Sequence, residues 1–312
     1  MSQSTFGKKF TVTTWGESHG KALGAVVDGV PAGLFLTEED IQAYLDRRKP
    51  GQSRYTTARS EGDKVEILSG VFEGKTTGTP ISMIVYNKDQ RSRDYGNIAQ
   101  TYRPGHADFG FDSKYGFRDY RGGGRSSGRE TIGRVAAGAI AAKILKELGI
   151  TLQAYTKSIG PVCCQNFHSE IIRENSFYMP DMVAAEKAAK YLERCMKEED
   201  SAGGVIECRI HGVPAGIGDP VFGKLDATFA QALMSIGAVK AVEIGDGTAV
   251  STLKGSTDND GFHMENGHIT KLSNHSGGIL GGISDGGEIV LRAHIKPTTS
   301  ISRPQQTVTR TG

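Results

Sequence analysis

VDGVPAGLFLTEEDIQAYL at residues 27–45 and IHGVPAGIGDPVFGKLDATFAQAL at residues 210–233 share one plan: a strand-like run, the pentapeptide GVPAG, then a stretch that reads as helix. Chance recurrence of a turn pentapeptide competes with this reading. The common order of strand, turn and helix around both copies favours a duplicated half-fold in which two similar halves share a helical core. Because strands mostly pair with near neighbours through short connections, mixed α+β with antiparallel sheets outranks a doubly wound parallel sheet.

Working outward, KKFTVTT (8–14) and LGAVVDGV (23–30) are short and β-branched, which predicts strands on either side of a GESHG loop. Thr37 followed by acidic and then basic residues predicts a helix that ends before Pro50 and Gly51. Strands are expected near 64–69 and 81–86 as an antiparallel pair, at 151–158 and at 204–211, with a helix near 181–198. Ser127-x-x-Glu130 reads as a capping box opening the Ala-rich run that follows, whose small residues mark a closely packed core helix. From Asn87 to Ser127 no periodicity is sustained, yet aromatics from Tyr95 to Tyr120 give that stretch groups to bury.

Composition narrows the function classes. The 312 residues carry a formal charge of +2, too mild to imply nucleic acid, and no apolar run approaches the roughly 20 residues that span a bilayer. The opening MSQSTFGKKF has neither a signal-peptide nor a transit-peptide character, so a cytoplasmic location is expected. Cys163, Cys164, Cys195 and Cys208 lack metal-ligand spacing and read as reduced thiols; no metal is expected. Glycine fills 42 positions, about twice its usual share of roughly 7%, scattered as for tight turns and close backbone approaches.

Three constellations carry chemistry. GESHG (16–20) sets Glu17, Ser18 and His19 on permissive backbone. The block 102–130 combines Arg103, His106, Lys114, Arg118, Arg121, Arg125 and Arg129 with three glycines and Ser126 and Ser127 at an expected helix N-terminus, which predicts a polyanionic ligand. It is neither a repetitive Arg/Gly tail nor a dinucleotide fingerprint, since Ser127 stands where the third glycine belongs. The C-terminal set is SIGAVKAVEIGDG (235–247), NHSGGILGGIS (274–284) and HIKPTTSIS (294–302), glycine turns beside hydroxyls and one lysine, suited to a ring system with a phosphate tail. GVFEGKT (70–76) looks like a phosphate loop but is one residue short, and is assigned to a turn.

Together, GESHG, DRRKPGQSRYTT (46–57), YRPGHADF (102–109), DYRGGGRSSGRET (119–131) and SNHSGGILGGIS (273–284) resemble the motifs of the chorismate synthase family, in order and over nearly the whole chain. The resemblance implies a single domain over 1–312, helices sandwiched between antiparallel sheets, and a homotetramer. It implies anti-1,4 elimination of phosphate and a proton from 5-enolpyruvylshikimate 3-phosphate, giving chorismate, with reduced FMN (FMNH2) that is not consumed. By similarity, His19 protonates the departing phosphate and His106 the reduced flavin ring, chemistry suited to imidazole near neutral pH. FMN contacts carried over by motif are Arg125, Ser126, Ser127, Gly237, Ala238, Gly281, Lys296, Pro297, Thr298, Thr299 and Ser300. Arg48 and Arg54 match positions associated with NADP and with substrate anions. The reductant is expected to be NADPH or an external flavin reductase, and no membrane partner is expected. The family continues past the position of Gly312 into a strand and an Arg-His-Asp-Pro segment, so the expectation is that residues 1–312 bind flavin weakly and turn over poorly.

Overall fold

The β-branched runs flanking GESHG pair as expected. The computed structural model describes residues 3–56, 61–88 and 97–312; Thr57 and Tyr95 of the motifs and aromatics above lie outside the described residues. The chain divides into two compact units, residues 1–144 with 304–312, and residues 145–303.

In chain order the first unit holds β1 (Thr5–Gly7), β2 (Thr11–Gly16), β3 (Ala22–Asp28), α1 (Glu38–Arg48), β4 (Val65–Ile67), β5 (Val71–Phe72), β6 (Lys75–Thr76), β7 (Ile81–Tyr86), α2 (Asp108–Tyr115) and all but the last turn of α3 (Thr131–Glu147). Its main sheet is antiparallel in the order β1-β2-β3-β7-β4, with Trp15 opposite Gly24 and Ala25 opposite Met83. Alternation in β3 and β7 sends Leu23, Ala25, Val27, Ile81, Met83 and Val85 into the core, where they meet Ile41 and Leu45 of α1 and Ile132, Ala136 and Ile140 of α3. Each fully buried large aliphatic of this set contributes about 1.5–3 kcal/mol by leaving water. The Ala/Gly composition of α3 has a direct use: a Cβ on Gly133 would stand 2.9 Å from Thr14 Cγ2 and 3.0 Å from the Gly24 carbonyl oxygen, so the helix lies against β2 and β3.

The second unit holds β8 (Thr151–Ile159), β9 (Val162–Cys163), α4 (Met182–Lys197), β10 (Gly204–His211), α5 (Leu225–Met234), β11 (Val239–Ile244), α6 (Gly255–Asp258), β12 (Phe262–Glu265), β13 (His268–Lys271), β14 (Ile279–Leu280), β15 (Ile283–Ser284) and β16 (Ile289–Ile295). Its main sheet runs β9-β8-β10-β16-β11, all antiparallel; β8-β10-β16-β11 repeats the order β2-β3-β7-β4 of the first sheet, and the edge strand differs, since β9 follows β8 in the chain where β1 precedes β2.

The duplication reaches single hydrogen bonds. In the first unit Thr76 Oγ1 donates to Pro31 O (2.6 Å) and accepts from Leu34 N (3.0 Å), while Gly33 N donates to Thr76 O (2.8 Å). In the second, Ser284 Oγ donates to Pro214 O (2.6 Å) and accepts from Ile217 N (2.9 Å), and Gly216 N donates to Ser284 O (2.9 Å). GVPAG opens with glycine twice for one reason: Gly29 and Gly212 sit at φ +81° and +82°, and a Cβ there would fall 1.8 Å and 2.3 Å from a carbonyl oxygen.

Two local expectations are corrected. Ser127 caps a short 3-10 turn (Gly128–Glu130) by accepting from Arg129 N at 3.3 Å, and α3 starts only at Thr131. The Glu130 carboxylate, instead of reaching back to complete a capping box, accepts from Thr14 Oγ1 (3.0 Å) and from Arg134 Nε (2.8 Å). The stretch 87–127 contains α2, which apolar periodicity could not show because ion pairs hold it. Buried Asp108 receives Nε and Nη2 of Arg103, and Asp112 pairs with Arg118. The GVFEGKT segment is the β5–β6 hairpin, in line with its assignment as a turn.

Candidate active site

In the first unit the GESHG loop joins β2 to β3 with Ser18 and His19 buried, 1% and 8% exposed. Ser18 Oγ lies 3.0 Å from His19 Nδ1 and 3.4 Å from the Gly122 carbonyl oxygen. The assignment that satisfies both contacts has the hydroxyl donating to Gly122 O and accepting from Nδ1–H, which leaves the lone pair of the neutral ring on Nε2. The imidazole lies close against the glycine run: a Cβ on Gly122 would stand 2.3 Å from His19 Cε1. Nearby, burial acts to raise the Asp119 carboxyl, but hydrogen bonds from the Arg121 guanidinium and backbone N–H, that cation's charge and a smaller contribution from His19 hold it below the ordinary value.

His106 stands in the turn before α2, its Nδ1 3.0 Å from Pro104 O; a carbonyl only accepts, so Nδ1 carries hydrogen and Nε2 is again the basic nitrogen of the neutral ring. Arg103, three residues earlier, places Nη2 3.8 Å from where a Cβ on Gly123 would sit. The segments carrying the two histidines therefore abut one glycine run, residues 122–124.

The arginines divide by partner. Arg125 donates to Gly16 O (3.0 Å), Thr14 O (3.1 Å) and Thr14 Oγ1 (2.6 Å), tying the 3-10 turn Gly124–Ser126 to β2; Ser126 Oγ donates to Gly123 O (2.7 Å). Arg118 is buried under backbone carbonyls of Ile98 and Thr101 and acts in the fold. Arg48 pairs with Asp63 at 2.6 Å and donates to Thr131 Oγ1, and Arg54 donates to the Tyr55 hydroxyl at 2.7 Å. Arg129, 5% exposed, sets Nη1 3.0 Å from Asp63 Oδ1, out of line for a hydrogen bond, and Nε donates to Asn87 Oδ1 at 3.0 Å. Its Nη2 is buried with no hydrogen-bond partner among the described residues.

In the second unit, Gly237 and Ala238 lead into β11 and Lys296 follows β16. These neighbouring strands bring the two segments together, with Lys296 N donating to Ala238 O at 3.0 Å. Residues 296–300 continue without regular structure, and Ser201 Oγ donates to Thr298 O at 2.7 Å. Gly281 is not at that end: it turns β14 into β15 beside the start of α5, where Leu225 N donates to Gly282 O. The ten residues of α5 put roughly 15 Å between it and Gly237.

The family model described as chorismate synthase matches residues 10–312. The chain belongs to the chorismate synthase family. It is 64% identical to the chorismate synthase of Agathobacter rectalis over 314 aligned residues, covering 100% of this chain and 86% of that protein. It is 55% identical to that of Methanosarcina mazei, covering 99% and 86%. A crystal structure of a chorismate synthase superposes with a TM-score of 0.79 at 34% identity, covering 93% of this chain and 84% of the other, which bears out the α+β fold with antiparallel sheets.

Chorismate synthases are lyases that work with a reduced flavin, and this chain's residues fit such a group. A Cβ on Gly237 would meet nothing within 4 Å, so open backbone is available next to Ala238, which Lys296 N contacts. In the first unit, Nη2 of buried Arg129 has no hydrogen-bond partner among the described residues. Motif reading named His19, His106 and Arg125, whose segments the structure sets around one glycine run, and Ala238 and Lys296, which it sets side by side; Asp63 and Asn87 escaped that reading. Neither has a local signature, because each acts through partners distant in sequence: Asp63 meets Arg48 across 15 positions and also Arg129, and Asn87 meets Arg129 across 42 and Glu17 across 70.

Proposed function

We propose that His19 and His106 handle the protons of the chorismate synthase reaction, within a setting of arginines that receives the acidic substrate. The reaction removes phosphate and a proton from 5-enolpyruvylshikimate 3-phosphate in an anti-1,4 sense: the carbon–oxygen bond to phosphate and a carbon–hydrogen bond break, a new double bond of chorismate forms, and nothing is oxidised overall. When bound, the reduced flavin supplies electron density that is lent to the substrate and recovered.

His19 Nε2 donates its proton to the departing phosphate oxygen, after which Nδ1–H remains held by Ser18 Oγ, so the ring keeps its orientation through both protonation states. His106, with Nδ1 anchored on Pro104 O, exchanges a proton through Nε2 toward the flavin. Arg129 offers its buried Nη2, and Arg48 and Arg54 complete the cationic surroundings for a substrate with one phosphate and two carboxylates. Gly237, Ala238, Gly281 and Lys296 to Ser300, with Arg125 to Ser127, are the flavin contacts of this reading. FMN as the flavin, NADPH or an external reductase as the electron source, a homotetramer and a cytoplasmic location are its finer parts and rest on the resemblance; no helix among the described residues is long and apolar enough to cross a membrane.

The observation that carries the proposal is the buried imidazole of His19 held between Ser18 and Gly122. The test is an anaerobic assay with dithionite-reduced FMN and 5-enolpyruvylshikimate 3-phosphate, following chorismate and phosphate together. His19→Ala and His106→Ala are each expected to lower kcat by about 100-fold or more with little change in substrate affinity. An unchanged kcat removes that histidine from the mechanism.

A further inference from the structure

The GESHG loop must keep the His19 ring against Gly122, yet Glu17 to Gly20 belong to no helix or strand. One side chain outside every motif holds it on both sides of Ser18 and His19. Asn87 follows β7, and its backbone N–H donates to Lys21 O at 3.0 Å, extending the β3–β7 ladder by one step. Its side-chain Nδ2 donates to Glu17 O (3.1 Å) and Gly20 O (2.8 Å), the two carbonyls that bracket Ser18 and His19. Its Oδ1 accepts from Arg129 Nε at 3.0 Å.

These partners leave one orientation for the amide, since carbonyls only accept and a guanidinium only donates. Arg129 is in turn held by Asp63, whose carboxyl also receives Arg48 at 2.6 Å. A continuous chain thus runs from Arg48 through Asp63, Arg129 and Asn87 to the backbone on both sides of His19. The segment that supplies Arg129 also supplies Gly122, which lies against ring atoms Cε1 and Nδ1, so residues 119–131 and what they touch meet both the imidazole and the backbone that carries it.

We propose that Asn87 is a positioning residue for His19: its amide clamps the carbonyls of Glu17 and Gly20 and so fixes where His19 Nε2 points. This rests on the reading of His19 as a proton donor. A displacement of about 1 Å in a catalytic group costs up to about 100-fold in rate. Asn87→Asp keeps the shape and the acceptor for Arg129 but sets a carboxylate against two carbonyl oxygens, and Asn87→Ala removes the clamp.

The experiment measures kcat, KM and their pH dependence for the full chain with Asn87→Asp, Asn87→Ala and Asn87→Ser, and records imidazole nitrogen NMR spectra, with His19 assigned by its absence in His19→Ala. The expected result is a fall in kcat of about 10- to 100-fold for Asp and Ala and less for Ser, which retains one donor. KM should stay within about 2-fold, the His19-dependent limb of the pH profile should move, and the His19 nitrogen signals should shift while those of His106 stay in place. Unmoved His19 signals in a folded Asn87→Ala or Asn87→Ser protein overturn the proposal, as does an unchanged kcat where His19→Ala abolishes turnover. If His19→Ala turns over normally, the catalytic reading of His19 falls, and the nitrogen spectra still decide whether Asn87 orients the ring.

Discussion

At His19, one absent methyl group decides whether the ring fits. Gly122 adopts φ +63°, and a Cβ there would penetrate to 2.3 Å from Cε1 and 2.4 Å from Nδ1. Gly122→Ala therefore combines left-handed backbone strain, of order 1 kcal/mol for a non-glycine residue, with displacement of the imidazole from Ser18. Turnover is expected to fall at least about 10-fold while flavin affinity holds, measured by the anaerobic assay beside a flavin titration; normal turnover would mean that the ring does not need that seat. The arginines follow the same rule of local surroundings. Both terminal nitrogens of Arg118 and of Arg125 find acceptors, backbone carbonyls among them, whereas neither terminal nitrogen of Arg129 has a hydrogen-bond partner among the described residues, although the sequence presents all three as equals.

Among the elements, the duplicated latch gives an internal control. Ser284→Ala leaves the Ile217 N–H and the Pro214 carbonyl without their hydroxyl, a loss of about 1–3 kcal/mol for buried groups. Ser284→Thr should cost under about 1 kcal/mol, because Thr76 makes the same two bonds in the other unit. Equal stabilities of the Ala and Thr variants in denaturant melts would refute the latch. The segment 271–276 behaves differently from a ligand loop: Asp260 accepts from Ser273 Oγ, Ser276 Oγ and the backbone N–H of His275 and Ser276. Burial opposes ionisation of Asp260, but these hydrogen bonds prevail and hold its carboxyl far below the ordinary value. A depressed folded-state pKa gives stability that is fully present above the unfolded value, about 3.9, and is lost as pH falls through the folded one. Acid unfolding curves should therefore lose part of their steepness in Asp260→Asn, and identical curves would remove Asp260 as a source of acid sensitivity.

For the whole molecule, flavin binding is the property that links sequence motif to stability. A ligand bound only by the folded state stabilises it by about 2.7 kcal/mol at 100 times its dissociation constant. Reduced FMN is thus expected to raise Tm, and Lys296→Ala to weaken its affinity by about 10-fold or more, the loss of one charge-assisted contact. A Tm rise unchanged by Lys296→Ala would take this lysine out of the flavin site.

By itself the sequence determined the family, the α+β class, the repeated strand–turn–helix unit and the places where β7 and β10 run, because hydrophobic alternation and the conformational demands of glycine are local and act wherever the chain goes. Only the tertiary structure decided which cations meet a carboxylate, that the Glu130 carboxylate leaves its capping box for Thr14, and that Asn87 reaches the loop of His19. Those outcomes depend on electrostatic and hydrogen-bond partners brought together across many residues, and a polar side chain carries no mark of its partner until folding supplies one.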